Sequence, residues 1–74
     1  MSTKRKYKSG RQIRSVADFE QSTAQYFIVH FGANQRTRHR GFLISWTYNT
    51  LSNFINRGQV FEADPIEGSE NEHD

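Results

Sequence analysis

The sequence predicts a small α+β domain: an antiparallel sheet built on a central β-hairpin, residues 24–31 and 40–46, packed against a helix over residues 48–57. Three observations predict it. Residues 24–31 (AQYFIVHF) are β-branched and aromatic and apolar on both faces. A second apolar run, residues 41–46 (GFLISW), follows the turn residues Gly32-Ala33-Asn34-Gln35. Leu51, Phe54 and Ile55 then recur at helical spacing ahead of Gly58.

Taken in order, Gln12-Ile13-Arg14 reads as a short first strand. Ser15 is an N-cap with an acid, Asp18, three residues on, and opens a helix of about two turns ending near Gln21, with Val16 and Phe19 on its apolar face. In residues 24–31, Phe27, Val29 and Phe31 share one face and Tyr26, Ile28 and His30 the other, so this strand belongs at the centre of the sheet. Its hairpin partner sets Phe42, Ile44 and Trp46 on one side. Thr47 or Asn49 caps the next helix, with Tyr48 one turn before the apolar stripe. Gly58 supplies its left-handed stop, residues 59–63 (QVFEA) form a last strand, and Pro65 ends it. Strand, helix, strand, strand, helix, strand is a shortened βαββαβ order; without the first strand and helix it reduces to a hairpin on one helix.

Composition bounds the function. The chain has 74 residues and no Cys, which limits it to one domain and excludes disulfides, thiolate zinc sites and cysteine nucleophiles. No apolar run approaches a bilayer span, so a soluble, cytoplasmic protein without a membrane partner is expected. Leu, Ile, Val and Phe number 16, of which all but Ile13 and Ile66 fall between residues 15 and 63. The fold is therefore expected in residues 10–65, flanked by a disordered basic arm, residues 1–9, and a disordered acidic tail, residues 66–74. A core of this size rarely supplies more than ~3–5 kcal/mol, which makes a homo-oligomer or a binding partner a natural source of further stability.

The net charge of +2 conceals a separation. Lys4, Arg5, Lys6, Lys8, Arg11 and Arg14 give residues 1–14 a charge of +6 with no acid, while Glu62, Asp64, Glu67, Glu70, Glu72 and Asp74 give residues 62–74 a charge of −6 with no base. In between, Arg36-Thr37-Arg38-His39-Arg40 opens the second hairpin strand, and alternation would set Arg36, Arg38 and Arg40 on one side. Guanidinium groups at that spacing match consecutive phosphates, although the same stripe could simply keep a strand edge from aggregating. Tyr7, Tyr26 and Tyr48 are the rings best suited to exposure and to stacking on bases.

Arg40-Gly41-Phe42 resembles the opening of the aromatic octapeptide of RNA-recognition motifs, which lies on the third strand of a βαββαβ fold. The pattern departs from it at Leu43, where Gly or Ala is expected, and at Ile44, which replaces an aromatic; nothing near Ile13 resembles the companion hexapeptide.

Catalysis finds little support. Asp18 and Glu20 diverge on a helix, and His30 and His39 would need the hairpin to bring them together as acid and base. No catalytic residue, metal ligand or cofactor is assigned. The sequence thus predicts a non-enzymatic binding protein in a nucleic-acid process, contacting nucleic acid or an acidic protein surface through Lys4, Arg5, Lys6, Lys8, Arg11, Arg14, Arg36, Arg38 and Arg40. The alternative is a small phage-type regulator or inhibitor that docks on a large host protein complex such as RNA polymerase or a nuclease.

Overall fold

The computed structural model describes residues 7–66. In chain order these form β1 Tyr7–Gln12, α1 Val16–Gln21, β2 Tyr26–Phe31, β3 Asn34–His39, α2 Arg40–Ile44, α3 Tyr48–Asn56 and β4 Val60–Pro65. The strands make one sheet in the order β1-β4-β2-β3, with every pair antiparallel. The α+β class and the hairpin packed with helices are as the sequence predicts.

Since β1 and β2 both run antiparallel to β4, they are parallel to each other, and β1-α1-β2 is a βαβ unit split by β4. By the same reasoning β3 and β4 are parallel, and β2 splits the unit they form with α2 and α3. The two crossovers move in opposite directions from strands that point opposite ways, so a single hand of crossover puts all three helices on one face. Against that face Phe27 and Val29 of β2, Val60 of β4 and Ile13 pack with Phe19, Leu43, Leu51 and Ile55 of the helices.

Local chemistry accounts for the elements. Ser15 Oγ accepts the Asp18 N–H at 3.0 Å and starts α1. Thr47 Oγ1 accepts the Thr50 N–H at 3.1 Å and starts α3. At the end of α3, Gly58 lies at φ 75 and the Gly58 and Gln59 N–H groups donate to the Ile55 and Phe54 carbonyls, the paired bonds of a Schellman stop. Phe31 pairs with Asn34, so the hairpin loop is only Gly32-Ala33, with Gly32 at φ 60 in the first loop position as a II′ turn requires.

Three sequence expectations are corrected. The return strand is Asn34–His39 rather than 40–46, because the two-residue loop starts pairing early and β2 is exhausted where Tyr26 meets His39. Beyond that point the chain has no strand left to bond, and the His39 side chain instead accepts the Gly41 N–H at 3.0 Å and caps α2. Arg40-Gly41-Phe42 therefore opens a helix, and its likeness to a third-strand RNA-recognition octapeptide does not hold. The first strand is Tyr7–Gln12 rather than residues 12–14, so it begins ahead of the expected domain start at 10, and it reaches Gln12 through a bulge that sets Gly10 and Arg11 opposite Glu62. That extra residue shifts the alternation and sends Ile13 into the core instead of onto the other face.

Among the described residues, no helix is long and apolar enough to cross a membrane.

Candidate nucleic-acid interface

Directly paired antiparallel residues share a face, so the register sorts the side chains. The helix side holds Phe27 and Val29 together with their partners Arg38, Arg36, Glu62 and Val60, and also Lys8 with its partner Asp64. The other side holds Tyr26, Ile28 and His30 with His39, Thr37 and Gln35 of β3, Phe61 of β4, and Tyr7 and Ser9 of β1. Every buried helical residue packs on the first side, and no described helix lies over the second.

This open face is a ring surface. Tyr7 and Tyr26 stack across β4 with centroids 5.3 Å apart and planes 24° from parallel. They meet above Ala63, whose small side chain leaves room for both rings. The His39 ring sets its edge against Tyr26 at 5.2 Å, and His30 meets Phe61 in the same way at 5.2 Å. Each such contact contributes about 0.5–1.5 kcal/mol beyond area burial and fixes the rings in place. Tyr26 remains 39% exposed, whereas Ile28 between the two ring clusters is 3% exposed. No Asp, Glu, Lys or Arg of the described strands lies on this face.

The basic residues do not act as one stripe. Arg40 is withdrawn from it: its guanidinium donates to the carbonyls of Phe19, Ser22 and Ala24, and lies 5.0 Å from the Phe19 ring and 5.3 Å from the Phe27 ring. Arg11 is also engaged. It bridges Asp18 and Glu62, each at 2.9 Å, while Glu62 accepts the Ser22 hydroxyl at 2.6 Å. The Arg14 N–H, first, and the Arg11 guanidinium hold the Asp18 carboxyl below its ordinary range, and the two carboxylates raise Arg11 in turn.

Arg36 and Arg38 stay together on β3, but on the helix side, away from the tyrosines. Lys8 and Arg14 are exposed. Lys4, Arg5 and Lys6 lie outside the described residues. Of the stacking candidates, Tyr7 and Tyr26 come together, while Tyr48 stands alone at the start of α3, 69% exposed. His30 and His39 share the open face at opposite ends of the hairpin, about 13 Å apart along the strands, so they form no acid–base pair. No group of three His, Asp or Glu among the described residues is placed to hold a metal.

Sequence reasoning passed over His39 and Phe61 as members of the ring surface. The signal was present for Phe61, since period-two alternation from Val60 puts it opposite the core. For His39 it was hidden by the expected longer loop.

Compared with protein-family models, with curated proteins and with solved structures, the chain gives no significant match. Its function is therefore argued from its own geometry.

Proposed function

We propose that this protein is a non-enzymatic cytoplasmic binding module that takes single-stranded nucleic acid on the open face of its sheet. One observation carries the reading: a sheet face over which no described helix lies, bearing Tyr7, Tyr26, His39, His30 and Phe61 and, among the described strand residues, no carboxylate. Bases stack on such rings for ~1–3 kcal/mol each without regard to sequence. Duplexes offer their base faces to no such surface, which favours single strands. Lys4, Arg5 and Lys6 immediately precede Tyr7 in the sequence and are the residues assigned to the phosphates, whereas Lys8 lies on the helix side beside Asp64.

The test is a fluorescence anisotropy titration of a labelled oligothymidine, and of its RNA counterpart, at two salt concentrations. Binding should weaken linearly in log salt as phosphate contacts are lost. Tyr7→Ala with Tyr26→Ala should weaken it by roughly tenfold or more, with the far-UV circular dichroism unchanged because neither ring belongs to the closed core. Wild-type affinity in the folded double variant would refute the reading.

A further inference from the structure

An open cleft of about 480 Å³, within the size range of small-molecule sites, borders the tyrosine pair at the end of the sheet. It exists because β4 outruns its neighbour. The last pair between β2 and β4 is Phe27 with Glu62, yet β4 continues to Pro65 and stays paired with β1 as far as Tyr7. The chain ahead of β2 is tied to Arg40 instead: the Gln25 carbonyl accepts the Arg40 N–H at 2.8 Å, and the Ser22 and Ala24 carbonyls accept its guanidinium. The gap so held open is bounded by Tyr7 and Tyr26, by residues 23–25 and by residues 62–65.

The fixed polar groups that β4 presents there accept rather than donate. The His30 N–H donates to the Gln59 carbonyl at 2.9 Å, so alternate residues of β4, Phe61, Ala63 and Pro65, turn their backbone groups towards β2. Past Glu62 no pairing with β2 takes them up. The Ala63 and Pro65 carbonyls therefore face the cleft, and Pro65 has no N–H to set beside its own. Glu62, whose carboxylate is held by Arg11 and Ser22, and Asp64 add negative charge, while no Lys or Arg among the described residues lines the cleft.

We infer that this cleft reads the edge of a base stacked on the tyrosine pair and selects one with an exocyclic amino group, cytosine, adenine or guanine, over thymine or uracil. An amino group brings two N–H donors to the carbonyls of Ala63 and Pro65. Uracil and thymine hold an oxygen where cytosine holds its amino group, so acceptor meets acceptor and the buried carbonyls go unpaired. A phosphate is repelled by Glu62 and Asp64, so the base enters and the backbone stays outside. Stacking on the rings is indifferent to base identity, and the preference is added by the cleft.

This inference rests on the open-face reading, and its test lets the two fail separately. Labelled oligodeoxycytidine and oligodeoxyuridine of one length are titrated with the full chain at one salt concentration above neutral pH, where cytosine is uncharged. The two bases share a ring and differ at the pairing edge, so stacking and phosphate contacts are common to both. The cytosine strand should bind tighter by roughly fivefold or more, and should shift the Gln25 and Ala63 amides further than the uracil strand does. Pro65→Ala adds an N–H where only a carbonyl stood and should narrow that ratio towards unity, with circular dichroism unchanged because Pro65 is exposed at the strand end. Equal affinities that Tyr7→Ala with Tyr26→Ala both reduces overturn the inference and leave the open-face reading standing; a lysine of the chain itself filling the cleft gives this result. A cytosine preference that spares the Gln25 and Ala63 amides, or that Pro65→Ala leaves unchanged, overturns it too. Binding of neither strand overturns both.

Discussion

Three arginines spaced two apart, Arg36, Arg38 and Arg40, meet different fates because the chain turns between the second and the third. Arg36 and Arg38 stay on an edge strand, whereas Arg40 begins α2 and turns its guanidinium onto the end of α1. There it donates to the Phe19, Ser22 and Ala24 carbonyls at and just beyond the end of α1, of which the Phe19 carbonyl also accepts the Ser22 N–H. Its planar fork lying near Phe19 and Phe27 adds a cation–π contribution. Arg40→Ala should therefore cost about 2–3 kcal/mol, from lost charged hydrogen bonds, and lower the melting temperature by roughly 10–20 °C. Arg40→Lys should recover little of it, since one ammonium cannot serve all three carbonyls. Thermal denaturation measures both; an Arg40→Ala protein as stable as wild type would show that the fork holds nothing together.

At the scale of elements, each helix starts at a side-chain cap, and α1 couples its cap to charge. Asp18 takes the Arg14 N–H and the Arg11 guanidinium, linking the helix start to β1 and, through Arg11, to Glu62 of β4. Because folding lowers the Asp18 carboxyl, its stabilisation is complete above the ordinary value of 3.8 and is lost as the pH falls below it through the lowered native value. Asp18→Asn should thus melt below wild type at neutral pH, with the difference closing towards pH 2; a gap independent of pH would contradict this linkage. Such signals were legible in the sequence. Ser15 with Asp18, Thr47, Gly58 and the alternation of β2 are local, and local chemistry fixes them. What was not legible depended on pairing. Whether 40–46 continues a strand turns on how soon β3 begins, which a one-residue choice in the Gly32 loop decides. Likewise the bulge at Gly10 and Arg11, which aims Arg11 at two carboxylates and Ile13 at the core, exists only opposite Glu62. The tyrosine pair joins β1 to β2 across β4 and has no sequence signature either, though both rings could be named as candidates for exposure.

On the scale of the whole molecule, one sheet separates two surfaces. The covered side gathers the helices, the core and every charged strand residue, and at its β3 margin leaves two arginines beside exposed apolar side chains. The open side keeps rings, hydroxyls and amides. Stacking on the open face is the central claim, and backbone amide chemical-shift mapping of the full chain during titration with unlabelled oligothymidine tests it most directly. Shifts should concentrate on Tyr7, Ser9, Tyr26, Ile28, His30, His39 and Phe61. Shifts confined to Arg36, Arg38, Phe42, Ile44 and Tyr48 would contradict it and place the nucleic acid on the helix side.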